Sequence, residues 1–452
     1  MVDLRSLIAA AVATATLAGA GALSVVGWSP VSVEAPAVST VVEPEAVSRN
    51  INCSGSVLAA VADSTTWTRI GKVSRGISGG SLAAEFTTDG EPDGAVIAYD
   101  GSPDKVAATE YSVVNNDLLA GYLAAECGDP VNSQWLVGGS TTTGRDAVLT
   151  ISNGSGVDAR VDLEFWGAEG PINAPAASGL VIDAGSSASY SLAGFAPNEV
   201  SPVVHVVSNG APVWATLQVS TVRGLDPGGL DRIVSVGEPS IRSVVPVVRQ
   251  PDEELVGPLR VDPDFADTVT TVRLFAPDGD GTATVTVVPV DGSESTSVTT
   301  PVVAGKVLDI AIDELATGDF SIMVDADVPV LAATRFSSYT KSSSIVDMAW
   351  SPAIAARIGP AEAYVPVSKS TLVVANTGDS AATVEVNSDG DVTTITVAAH
   401  SSESLIVNRG ALTVTSDSPV APGVLIALDG GIATLRLPVE PLGARSVSVV
   451  AH

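Results

Sequence analysis

The sequence predicts an all-β protein: tandem immunoglobulin-like β-sandwich modules following one N-terminal hydrophobic helix. Three observations carry this. Hydrophobic residues make up 45% but aromatics only 4%, with Val, Ala, Thr, Ser and Gly dominant, a balance that favours strands and turns over helices. A strand, a Gly-bearing turn and a second strand recur along the chain. An uncharged run opens it, from Ser6 to Gly27.

That run follows Met-Val-Asp-Leu-Arg5, whose arginine is the one basic residue on its N-terminal side, so the remainder would lie outside the cell. Ala18-Gly-Ala20 and Ala20-Gly-Ala22 suit a signal peptidase, while about 20 apolar residues also span a bilayer. Residues 1–28 are therefore read as a signal peptide or a membrane anchor. Residues 29–49, bearing Pro, Ser and Glu without periodicity, read as an extended spacer.

Beyond the export segment stand two cysteines, Cys53 and Cys127. In an oxidising compartment an isolated pair is most simply a disulfide. No CxxC and no nearby His points to metal binding or thiol chemistry. The pair brackets residues 50–130, read as a degenerate first β module. Its strands are Gly94–Tyr99, Thr109–Val114 and Leu118–Ala125, the last two joined by a hairpin turn at Asn115-Asn-Asp117.

Three further modules are expected at residues 131–232, 233–345 and 346–452, each of sandwich size. The first of them shows the pattern in Gln134–Asn153, where Val148, Thr150 and Ser152 alternate with Ala147, Leu149 and Ile151. Trp135-Leu-Val-Gly-Gly-Ser140, Val245-Pro-Val-Val-Arg249 and Val365-Pro-Val-Ser-Lys369 precede the strands Ala147–Asn153, Thr271–Ala276 and Thr371–Asn376. The closing turns are Gly154-Ser-Gly156, Pro277-Asp-Gly-Asp-Gly281 and Thr377-Gly-Asp379. Module ends repeat as Asn209-Gly-Ala-Pro-Val213, Asp325-Ala-Asp-Val-Pro-Val330 and Asp417-Ser-Pro-Val420, with Pro tolerated at a strand's first residue. If these are equivalent, Val213, Val330 and Val420 occupy corresponding faces. Arg223–Asp231 and Ser337–Ser344 read as polar connections between modules that share small interfaces.

The formal charge is −29, from 51 acidic against 22 basic residues, which repels nucleic acids and anionic headgroups. Gly76-Ile-Ser-Gly-Gly80 matches G-x-S-x-G but lacks the strand-to-helix context of a nucleophile elbow, and His205 reads as a strand residue. Asp278-Gly-Asp-Gly281 and Asp389-Gly-Asp391 begin like calcium loops and read fully as hairpin turns. No catalytic residue, metal or cofactor is expected. Trp135, Arg145, Trp166 and Trp214 are the candidate ligand-contact residues. Core packing is the competing reading for the tryptophans, and stacking against a sugar the functional one.

Cys53-Ser-Gly55, Cys127, Trp135–Ser140, Gly144-Arg145, Leu149–Asn153 and Arg223-Gly-Leu-Asp-Pro-Gly-Gly228 together resemble the actinobacterial secreted "large exoprotein" family of unknown function. The resemblance implies one N-terminal hydrophobic segment, a β-rich exterior part and no established activity. The expectation is thus a non-catalytic extracytoplasmic envelope protein that contacts an envelope protein or wall polymer. It would reach the membrane through the N-terminal segment if that is uncleaved. The alternatives are a carbohydrate-binding array on wall glycan and a wall-directed hydrolase. Exposed coplanar tryptophans would favour the first, and a concave site with convergent carboxylates or a Ser–His pair the second.

Overall fold

The computed structural model describes residues 39–42, 50–60, 67–88, 91–99, 106–312, 315–437 and 447–450. The segment 6–27 lies outside them, and among the described residues no helix is long and apolar enough to cross a membrane. The chain forms two units, residues 1–45 with 444–452, and residues 46–443. In the first, Ser39–Val42, inside the stretch read as a spacer, pairs antiparallel with Val447–Val450.

Among its described residues the second unit is β apart from two single 3-10 turns, Pro175–Ala177 and Leu192–Gly194, and a short helical insert, Glu253–Val256 continuing through 3-10 turns to Thr268. The insert starts where Asp252 caps it by accepting the Glu254 N–H. The alternation of apolar residues predicts strands, and strands are the remaining regular elements among the described residues.

In the second module one sheet orders Ser133–Val137, Val203–Asn209, Ala159–Gly167 and Gly170–Ile172. It faces Asp226–Ile233, Trp214–Arg223, Arg145–Asn153 and Ser186–Ser191 across a core containing Leu136, Ile151, Phe165 and Leu217. The latter sheet runs on through one parallel contact, Ser186 with Thr87, into the first module's strands Ser81–Thr88, Glu91–Ala98 and Asn50–Cys53. The fourth module stacks a sheet ordered Ala361–Val365, Gly410–Ser416, Ala382–Ser388, Asp391–Val397 on one ordered Ser401–Val407, Ser370–Asn376, Val420–Leu428, Gly431–Arg436. In the third, the 22-residue strand Gly318–Tyr339 serves both layers. Its first half pairs with Ser240–Gln250 and Gly281–Pro289, its second with Thr271–Phe275 and Val346–Pro352.

The repeated Pro-Val segments are only partly alike. Val420 opens its strand and Val213 directly precedes one, whereas Pro329 and Val330, expected at a strand start, lie inside the 22-residue strand because that strand runs on through both layers. Val420 pairs with Asn376, the last residue of its partner strand. Trp214 and Leu331, the residues directly after Val213 and Val330, pair with Ser152 and Phe275, while Val213 itself bridges to Val131 and Val330 to Ser240. All three valines are buried. The side chains of Asn153 and Asn376 repeat one another too. Each donates its amide to a carbonyl of the following turn and to one in a later strand, Ile182 or Val397, and its oxygen accepts a backbone N–H two residues on; Asn376 also donates to the Ala398 carbonyl.

The expected polar connections are corrected. Arg223–Asp231 and Ser337–Ser344 are hairpin turns with their flanking strands, and they lead into strands at the middle of the unit. Four such hairpins recur: Ala107–Asn115 with Ala120–Glu126, Trp214–Arg223 with Asp226–Ile233, Gly318–Tyr339 with Val346–Pro352, and Val420–Leu428 with Gly431–Arg436. The third of them moves Val346–Pro352, expected to open the fourth module, to the end of the third module. The four closing strands pack on one another in a closed ring, first on second, second on third, third on fourth, fourth on first. Modules expected to share little surface therefore share their interiors. Phe275, Leu331 and Trp350 of the third module belong to the core of the second, and Tyr122 of the first to that of the fourth.

Candidate functional site

Where the four strands meet, a buried carboxylate occupies the centre. Asp347 Oδ2 accepts the N–H groups of Tyr122 (2.9 Å) and Ile432 (2.8 Å), and Oδ1 accepts that of Leu230 (2.9 Å). One side chain of the third module thus holds the other three. Two donors follow glycines with positive φ, Gly121 (150°) and Gly229 (104°), and a Cβ on Gly121 would come within 2.4 Å of Asp347 Oδ1. The close approach is what requires glycine there. Complete burial pushes the Asp347 carboxyl up to about 7 despite these donors. Beside it, Asp231 accepts the Trp350 N–H at 2.6 Å. Burial raises it to about 8, opposed by the backbone N–H groups of Trp350 and Arg232 and reinforced by Asp347 and Glu126.

Further buried polar contacts seal two of these junctions, first with second and second with third. Arg232 pairs with Glu110 (3.0 Å) and donates to the Gly55 and Ser56 carbonyls. Arg273, fully buried, pairs with Asp309 (2.8 Å) and donates to the carbonyls of Gly139, Val200 and Pro202. Burial would raise Asp309, but the Arg273 guanidinium, the Ser201 hydroxyl and Arg335 together outweigh it and hold the carboxyl below its ordinary value. Unpaired, any of these ions would be costly in the interior; paired, they fix which surfaces meet.

Beside the ring opens a cavity of about 630 Å³ lined by all four modules. Its walls come from residues 106–108 and 126–129, 131, 133–134 and 235–240, 330–332 and 353–355, and 357–360 and 362–363, with Trp214 and Arg436. The volume lies within the range of small-ligand pockets, about 300–1,000 Å³. Ser133, at its edge, is hydrogen-bonded to His205 Nε2 (3.0 Å), and His205 Nδ1 meets Glu164 Oε2 (3.0 Å). The three lie on adjacent strands, with His205 directly across from both Trp135 and Glu164. The Trp135 ring stacks on the imidazole, centroids 3.9 Å apart and planes 5° from parallel, which leaves it little freedom to turn.

The structure does not gather the four candidate contact residues. Trp135 is buried beneath His205, and half-buried Trp166 lies 5.3 Å from it in an aromatic cluster with Phe275. Trp214 is buried elsewhere, its ring against Gly128 at the cavity wall. Arg145 pairs with Asp267 (3.1 Å) and donates to the Asp264 carbonyl, clasping the helical insert of the third module. These positions correct the expectation of a sugar-stacking platform at Trp135 and Trp214. Apolar rings between packed sheets are worth more buried than exposed. Cys53 and Cys127 are bonded, with Cα atoms 4.5 Å apart. Ser78 of the G-x-S-x-G match ends a strand, and Asp389 and Gly390 form the two-residue turn of a hairpin, with φ of 53° and 98°.

Sequence reasoning missed Ser133, Glu164, Asp231 and Asp347. For Asp347 a signal existed, a lone carboxylate in the apolar run Ile345–Trp350. For Ser133 and Glu164 none did, since their meeting with His205 depends on strand order.

Residues 88–408 match the family of unknown function DUF5719. The protein belongs to this family. No curated protein matches this DUF5719 chain. Among solved structures it is similar to Thermotoga maritima 1070, with 16% identity and a TM-score of 0.20 over 25% of this chain and 93% of that one. It is also similar to three fibronectin domains, FN1–FN3, of chicken CNTN1, with 11% identity and a TM-score of 0.11 over 72% and 100% of the two chains. A tetra-tandem repeat from the extending region of a large adhesion protein gives 12% and 0.12 over 82% and 92%. Likeness at these scores bears on neither fold nor function.

Proposed function

We propose that this DUF5719 protein is exported and serves in the cell envelope as a rigid body that contacts an envelope protein or wall polymer. The observation that carries the reading is the four-way junction at Asp347. Its buried carboxylate is directed at backbone N–H groups of three other modules, so its chemistry serves to lock the sandwiches into one unit. A body locked in this way presents surfaces at constant spacing, which suits an interaction role. The Cys53–Cys127 bond and the uncharged run 6–27 support an oxidising destination. The acidic surface supports partners that are neutral or basic. The alternative of a sugar-binding array is the weaker one, because Trp135 and Trp214 are buried.

Cell fractionation with thiol alkylation, followed by crosslinking on intact cells, tests the proposal. The protein should be recovered from envelope or medium with both cysteines protected until reduction, joined to an envelope protein or wall fragment. Recovery from the cytoplasm with both thiols alkylated directly would overturn it.

A further inference from the structure

We propose that Ser133, His205 and Glu164 form a nucleophilic centre that takes acyl groups from uncharged carboxylic esters admitted to the four-module cavity. This goes beyond the envelope role, and it departs from the expectation of a non-catalytic chain. A serine's hydroxyl is a poor nucleophile unless a base accepts its proton as it attacks. Here the base is in place, His205 Nε2 at 3.0 Å from Ser133 Oγ. Glu164 at Nδ1, also 3.0 Å, keeps a proton on that nitrogen and leaves Nε2 as the acceptor. The Trp135 stack holds the ring in plane.

Paired polar side chains on a sheet surface are common, and two features set this trio apart. The imidazole joins hydroxyl to carboxylate through both ring nitrogens, and with the proton on Nδ1 the Ser133 hydroxyl can donate to Nε2. The hydroxyl end, and not the carboxylate end, borders the cavity. The cavity also indicates the substrate. Its lining carries four carboxylates, on Glu126, Asp129, Glu238 and Glu362, against two guanidiniums, on Arg357 and Arg436. Arg436 is already paired with Glu126. Glu238 Oε1 lies only 3.5 Å from Ser133 Oγ, so an anionic acyl group would meet like charge at the point of attack. Apolar side chains such as Val131, Val236, Leu331 and Ile354 supply a wall for an uncharged acyl chain.

In the reaction Ser133 Oγ bonds to the ester carbonyl carbon while His205 Nε2 takes the hydroxyl proton. The carbon–oxygen bond to the alcohol then breaks, and that oxygen receives the proton from His205 and leaves. Water attacks the acyl-serine, passes a proton through His205 to Ser133 Oγ, and releases the carboxylic acid. Glu164 acts as a positioning residue throughout.

The test uses the full oxidised chain. A fluorophosphonate probe should give one adduct, located on Ser133 by peptide mapping. Ser133→Ala should abolish it, and His205→Asn should slow it about 100-fold, the size of a general-base contribution. Ser297→Ala, which removes an exposed hydroxyl paired with Thr286, should leave labelling unchanged. Glu164→Ala should slow labelling strongly. Glu164→Gln, which still accepts the Nδ1 proton, should restore most of it, a rescue that a merely structural role would not produce. Should His205→Asn fail to fold, the Ser133 and Glu164 variants decide alone. For the substrate class, p-nitrophenyl butyrate should turn over faster than the hemisuccinate ester. An unlabelled wild type, or an adduct that persists in Ser133→Ala, overturns the centre; equal or inverted ester preference overturns the substrate assignment.

Discussion

Asp347 accepts the N–H of Leu230 at 2.9 Å, and next to Leu230, Asp231 accepts the N–H of Trp350 at 2.6 Å. Two sandwiches thus exchange side-chain-to-backbone hydrogen bonds across strands more than 100 residues apart in the chain. No ladder hydrogen bonds join these strands, so the carboxylates do the joining.

Asp347→Ala should destabilise the whole unit. It leaves three buried N–H groups without acceptors, at about 1–3 kcal/mol each before relaxation. Asp347→Asn retains one acceptor oxygen and should cost less. Urea denaturation measures both, and a loss under about 1 kcal/mol for the alanine variant would reject the role assigned to Asp347.

Stability should fall as pH rises from about 4 to about 8. Burial raises Asp231 to about 8 and Asp347 to about 7 in the folded protein, above their ordinary value of 3.8. A carboxyl whose folded pKa is raised favours folding while protonated, and its contribution is lost as pH climbs through the folded pKa. Melting temperatures across that window should therefore decline, and Asp231→Asn should flatten the decline while keeping an acceptor for Trp350. A profile unchanged by that substitution would contradict the assignment.

Val330→Asp should unfold the four modules together. The side chain is buried, and an unpaired carboxylate there must lose its hydration. Independent modules would confine the damage to about residues 245–345. With cores shared across the junctions, limited proteolysis should cut in all four modules at similar rates. Persistent flanking fragments would show that the shared cores do not couple unfolding.

Reducing the Cys53–Cys127 bond should lower stability by up to about 4 kcal/mol, the chain-entropy value for its 74-residue separation. Because the first module shares a sheet with the second and the ring with the others, the melting point of the whole unit should drop. Calorimetry with and without reductant reads this directly, and an unchanged melting point would refute it.

The β character and the disulfide were legible in the sequence because each rests on limited information, the one on local patterning and the other on an isolated cysteine pair. Alternation of period two, glycine at turns needing positive φ, and proline at strand starts are properties of neighbouring residues. What stood in the centre was not legible. Arg223–Asp231 looks like a polar linker because it is rich in Gly and Asp. Its glycines in fact allow close backbone approach, and Asp231 is buried because Trp350 supplies an N–H from another sandwich.

The same holds for Ser133, His205 and Glu164. Alternation determines that each lies on a particular face of its own strand, and it stops there. Only the order of strands, Ser133–Val137 beside Val203–Asn209 beside Ala159–Gly167, brings hydroxyl, imidazole and carboxylate into line. Strand order is set by which apolar faces can close over a common core, a free energy summed over the whole sandwich. No short stretch of sequence contains that sum, and so tertiary structure alone decided that these side chains meet.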